Sequence, residues 1–255
     1  HMDLLKTVKR RTFWSEIVYH SLNLGLAAVL LAIARTIQSP YPALALVILS
    51  KWRVIAVRPR FWWANIQANL VDVAVGVGIV GLMYLPNIGF TIQTVLAVLY
   101  AIWLIVIKPL SKRWQIALQA GCAILVGTIS LMAVSYNWPV SAVVFLMFLL
   151  GYGAARHFLH SYDEEQTTLL SFVWGLVFAE LGWLAYYWNF SYLRTLAGGI
   201  PQITIVLLLI SFCGGKVYQS WKKHKKIIFS EIVGPVFLAA ATTLVMLLAF
   251  NSVVI

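Results

Sequence analysis

Nine apolar runs follow one another along this chain with only short linkers between them. They cover residues 17–37, 41–57, 61–84, 90–107, 116–136, 139–157, 168–188, 200–218 and 227–250. A helix bathed in water keeps one polar face, whereas these runs are apolar almost all round. About 20 such residues, rising 1.5 Å each, match the roughly 30 Å hydrocarbon core of a bilayer. The composition agrees: 62% of the 255 residues are apolar and 11% charged, with a mean hydropathy of +0.88. A soluble domain is nearer half apolar and a quarter charged. A water-soluble enzyme, a disordered chain and a disulfide-stapled secreted scaffold are all excluded. The expected fold is all-α: a polytopic membrane helix bundle of about nine transmembrane helices in a single domain spanning 1–255. The second run is the weakest, because Lys51 and Arg53 follow its clean apolar stretch. It reads as a short or re-entrant helix, or as one that depends on snorkelling basic side chains.

The linkers alternate in character. Ser39-Pro40-Tyr41-Pro42, Pro86-Asn87-Ile88-Gly89, Asn137-Trp138-Pro139 and 189–201 are rich in turn residues. The intervening ones are basic: Lys51, Arg53, Arg58 and Arg60; Lys108, Lys112 and Arg113; Arg156; and Lys216, Lys222, Lys223, Lys225 and Lys226. With Lys6, Lys9, Arg10 and Arg11 at the N-terminus, this side holds 17 of the 19 Lys and Arg. The positive-inside rule then puts the N-terminus in the cytoplasm and, with nine spans, the C-terminus outside. A bacterial inner membrane is the expected location. The net charge of +11 is read as a topology signal and as contact with anionic lipids, not as nucleic-acid binding. Trp14, Trp52, Trp62, Trp63, Trp114 and Trp221 fall on the same edge, as an interfacial belt requires. His1-Met2 reads as an expression remnant, and the first run is too long for a cleaved leader.

A pattern of basic-aromatic entry, outward helix, tight turn and inward helix recurs. It gives hairpin units at 13–60, 61–113, 114–166 and 167–226, with a final helix at 227–250. The entries to the first and ninth runs share Ser-Glu-Ile-Val. The repeats run in one direction, so an inverted-repeat transporter is not indicated.

Ionisable groups at bilayer depth are expensive and default to functional candidates. Asp72 shares a helical stripe with Asn65, Asn69 and Gly76, and Glu180 lies in mid-span above a stripe of Gly175, Ala179 and Gly182. His20 belongs to a seam with Glu16 and Asn23, and Gln119 to one with Gln115 and Cys122. The expectation is that odd-numbered helices line an interior reached from the cytoplasm, with even-numbered ones facing lipid. Asp72, Glu180, Asn69, Asn65, His20 and Gln119 are then the candidate substrate- or proton-binding residues. Gly76-Val77-Gly78-Ile79-Val80-Gly81 copies the dinucleotide pattern but lies in mid-span, so it is read as small-residue packing. After the sixth run, His157, His160 and Glu164 recur at i, i+3 and i+7, a spacing compatible with a metal site. No cofactor motif is found. Cys122 and Cys213 read as reduced thiols within apolar runs.

Ser39-Pro40-Tyr41-Pro42-Ala43 before a short second span, then a basic loop and a glycine-containing third, resembles the membrane half of fusaric-acid-resistance and aromatic-acid exporters. The likeness covers the first four runs, under half of the chain, and implies transport. Ala64-Asn65-Ile66-Gln67 stands where that family carries arginine and glycine. The function expected is a permease or exporter of a small solute or lipid, with intramembrane acids as coupling groups. The alternatives are a membrane enzyme acting on lipid headgroups, and a non-catalytic scaffold or assembly subunit. A homo-oligomer or a membrane partner subunit fits any of the three.

Overall fold

The computed structural model describes residues 13–54, 56–188, 190–192 and 199–249; the basic residues of 1–12 and Arg194 lie outside these. Its helices are α1 (Phe13–Thr36), α2 (Tyr41–Leu49), α3 (Trp62–Met83), α4 (Phe90–Ile102), α5 (Arg113–Val134), α6 (Val140–His160), α7 (Thr167–Tyr187), α8 (Gln202–His224) and α9 (Phe229–Ala249). A two-residue antiparallel ladder, β1 (Ser191–Tyr192) with β2 (Ile200–Pro201), precedes α8. Among the described residues, eight helical segments are long and apolar enough to cross a membrane. The protein is therefore a multi-pass integral membrane protein.

Eight and not nine helices reach that length among the described residues because the second run breaks. Pro42 sits in the first turn of α2, where its missing N–H goes unused. The helix stops after nine residues, about 14 Å of rise against a roughly 30 Å hydrocarbon core. Ser50 Oγ folds back to donate to the Val47 carbonyl at 2.6 Å. Two short 3₁₀ turns, Trp52–Val54 and Pro59–Phe61, lead on to α3. Arg58 is held extended before Pro59, so helix cannot run through. The fourth run breaks differently. After α4 the chain passes into a π-helical turn, Trp103–Ile107, where the Lys108 N–H donates to the Trp103 carbonyl at 2.8 Å. Pro109 then ends the segment.

Two apolar cores hold the bundle. One gathers α1 to α4 around Leu30, Val47, Val80, Tyr100 and Leu104. The other gathers α5 to α8 around Val143, Met147, Phe178 and Leu207. Helices α3 and α5 join them where backbones come close: a Cβ on Gly78 would lie 2.8 Å from Val126 Cγ1, and one on Gly81 would strike Ser130 Oγ. The glycine triplet is thus packing surface. A closer seam joins α6 to α7. A Cβ on Gly151 would lie 2.5 Å from Phe178 Cγ, and one on Gly182 would lie 2.6 Å from Met147 Cγ. The Gly175, Ala179 and Gly182 stripe faces this seam, as small residues at membrane helix contacts do.

The expected alternation of interior odd and exterior even helices fails. The most apolar stretch of α6 is 44% buried, against 11% for α1 and 17% for α9. Glycines at 151 and 153 admit α6 to the centre, against Phe178 and Leu70. Helices α1 and α9 carry broad apolar faces that remain exposed. The six tryptophans of the basic edge are all exposed, as an interfacial belt needs.

Gly151→Leu should lower stability by about 1–3 kcal/mol, because the new side chain meets the root of the Phe178 ring and cannot be accommodated by a flexible tip. Gly25→Leu, which has open space at its Cβ, should change it by less than about 0.5 kcal/mol. Thermal unfolding of both variants in detergent micelles tests the contrast.

Candidate functional site: a buried ion triad at two helix breaks

The two breaks meet at one level of the bundle. Gly76 of α3 faces Val47 of α2 and the Tyr100 hydroxyl of α4. One turn earlier on α3 is Asp72, which meets Lys51 just beyond α2 and Trp103 where α4 changes to the wider turn. Both neighbours therefore run antiparallel to α3, and both lose regular α-helix beside Asp72. Helical bulges of this kind recur at functional positions.

Asp72 is 6% exposed. Its Oδ2 accepts from Lys51 Nζ at 2.5 Å and from Lys108 Nζ at 2.6 Å. Its Oδ1 accepts from the Trp103 indole N–H at 3.0 Å. The Lys51 side chain is 10% exposed and that of Lys108 35%. Lys51 also follows the C-terminal end of α2, where free carbonyls favour a cation. A carboxylate in low dielectric is tolerable when it is paired and fully hydrogen-bonded. That condition is met here by residues of the two elements that flank α3.

A second layer fixes the position of Lys108. The Gln119 side-chain amide, on α5, donates to the carbonyls of Ile107 at 2.7 Å and Leu110 at 2.9 Å. Its Oε1 lies 2.7 Å from His157 Nε2 on α6. One amide thus caps the frayed end of the fourth run and ties it to two further helices. On the other side of α3, Gln67 Nε2 donates to Tyr152 Oη at 2.7 Å.

The remaining sequence candidates are dispersed. Asn65 and Asn69 are half-buried, and Asn69 Nδ2 donates to the Asn65 carbonyl at 2.8 Å within its own helix. His20 is exposed on α1, and Glu180 is exposed on the outer face of α7, away from Asp72. His157 turns to Gln119 while His160 is exposed. Glu164 accepts from Tyr218 Oη at 2.5 Å and Lys222 Nζ at 2.9 Å, at the end of the bundle. These two donors, the hydroxyl first, hold the Glu164 carboxyl down at about 2. Among the described residues no three His, Cys, Asp or Glu side chains are grouped to hold a metal.

The sequence alone does not single out Lys51, Lys108 and Trp103 as site residues, because basic and aromatic residues at span ends ordinarily face headgroups. The signal lies in the charge pattern: Lys51 comes two residues after apolar α2, and Asp72 is the one acid between Glu16 and Asp163. No family model matches this chain, and neither a curated protein nor a solved structure matches it.

Removing the acid should differ sharply from removing one cation. Asp72→Asn strands the buried Lys51 ammonium, with the partly exposed Lys108 beside it, and should lower stability by about 3–5 kcal/mol. Lys51→Met leaves a neutral Lys108–Asp72 pair and should change it by less than about 1 kcal/mol. Adding Lys51→Met to Asp72→Asn should recover much of the loss. Denaturant unfolding in micelles decides; equal effects from both single substitutions would contradict the triad.

Proposed function

We propose that this protein is a membrane carrier for a small solute, with the Asp72–Lys51–Lys108 centre as its binding and coupling group. The observation that supports the reading most is the coincidence of a buried, three-way ion pair with two broken helices. Discontinuous helices near the midplane are how many carriers build a solute site, since half-helix ends and unwound backbone supply polar groups there. Ion pairs at such depth also offer a switch, because Lys51 and Lys108 can exchange partners at small displacement.

In this reading the basic linkers face the cytoplasm, in keeping with a bacterial inner membrane. The chain crosses nine times, the second crossing being α2 followed by the 3₁₀ turns. Contacts with anionic lipid are made by Arg58, Arg60 and the 216–226 cluster. Asn65, Asn69 and Gln119 act as neighbours of the centre, and Glu180 lies outside it. Two things weigh against an enzyme acting on lipid headgroups. His157 turns to Gln119 while Glu164 pairs with Tyr218 and Lys222, and the recess lined by Glu164, Tyr218 and Trp221 holds neither histidine.

The test is counterflow in proteoliposomes, using a panel of radiolabelled organic acids, amines and sugars under an imposed proton gradient. At least one solute should accumulate above empty liposomes with wild-type protein, and Asp72→Asn should reduce that accumulation at least about 10-fold. Wild-type protein that moves no solute of the panel above empty liposomes counts against a carrier.

A further inference from the structure

The donors and acceptors at the Asp72 centre do not balance. Both carboxylate oxygens are already engaged, Oδ2 by two ammonium groups and Oδ1 by the indole. Two ammonium groups carry six N–H donors between them. One carboxylate leaves the pair with a surplus of one positive charge. Its other ionisable neighbours are a phenol and an imidazole, Tyr100 and His157, and neither is a carboxylate that could cancel that charge.

A second, independent observation lies one turn away. Tyr100 is 0% exposed and its hydroxyl has no hydrogen-bond partner. That hydroxyl lies 3.0 Å from the position a Cβ would take on Gly76. Gly76 stands one turn along α3 from Asp72, and Tyr100 one turn along α4 from Trp103. An unsatisfied buried hydroxyl costs about 1–3 kcal/mol. Its natural complement is an acceptor.

We propose that this centre binds a small monoanion, of the halide or carboxylate class, between Lys51, Lys108 and the Tyr100 hydroxyl. The anion neutralises the surplus charge, supplies the acceptor that Tyr100 lacks, and competes with Asp72 for the two lysines. A cation would meet repulsion from the lysines, and a dianion would overshoot the single surplus charge. The half-exposed Lys108 side chain marks the side of approach. As a statement about the transported solute the proposal rests on the carrier reading; the binding chemistry stands apart from it.

The experiment is a thermal-unfolding titration of the full chain in detergent with sodium chloride and sodium acetate. Ionic strength is held constant with the bulky monoanion gluconate. At least one probe should raise the wild-type Tm saturably. For that probe, Tyr100→Phe should weaken the apparent affinity about 5-fold and Lys51→Met at least about 10-fold. Lys223→Gln, at an exposed pair with Glu231, should leave it unchanged. Asp72→Asn removes the competing carboxylate and should tighten binding at least about 10-fold. If that variant folds only with chloride or acetate present, the same conclusion follows. Should it fail to fold in every salt, the wild-type, Tyr100→Phe and Lys51→Met titrations decide. The proposal is overturned by no saturable response in wild type, or by one that Lys51→Met and Tyr100→Phe leave unmoved. Saturable binding without counterflow would sink the carrier reading alone, whereas counterflow of a solute with no anion response would sink the anion site alone.

Discussion

A charge taken out of water must find its opposite, and this requirement organises the first half of the bundle. The carboxylate of Asp72 is buried among α2, α3 and the fourth span, and its partners come from the two elements that flank it. To deliver Lys51 to that depth, the second run has to stop being a helix half-way. To deliver Trp103 and Lys108 together, the fourth run has to widen its turn. Each break leaves backbone groups that need partners, and they are found locally: Ser50 on the Val47 carbonyl, and Gln119 on the carbonyls at 107 and 110. Irregular backbone at membrane depth is tolerated where protein encloses it.

The second half has a different logic. From α5 to α8 the contacts are steric, set by glycines that admit Phe178, Phe148 and Met147. Its interior polar contacts include the Thr128 and Thr204 hydroxyls 2.8 Å apart, and its ion pair of Glu164 with Lys222 lies at the end of the bundle. With no water to drive apolar association inside a bilayer, close fit is the main source of stability. A rigid seam of this kind gives the charged half a fixed neighbour, with Gln119 and His157 reaching across from it.

Much of this was legible in the residues, and the part that was not has an identifiable cause. Length and apolarity define the long spans because bilayer thickness sets both. Asp72 stands out because any acid in mid-span does. Its partners do not stand out, because a lysine at a span end has two stable destinations, the headgroups or an internal acid, and local sequence does not distinguish them. The layering of the bundle departs from the polar periodicity for a similar reason: periodicity counts polar residues, whereas α6 enters the centre on glycines 151 and 153. Glu180 looked equivalent to Asp72 along the chain; its helix turns the small residues inward and the acid outward.

The chain has three aspartates, Asp3, Asp72 and Asp163, which makes the central ion triad open to direct observation. Infrared spectra of protein labelled with carbon-13 at aspartate carboxyls, compared with Asp72→Asn, isolate the Asp72 group. At neutral pH the band should be that of an ionised carboxylate, and it should shift in Lys51→Met and again in Lys108→Met. A protonated-acid band at position 72, or a carboxylate band that neither lysine substitution moves, would contradict the account.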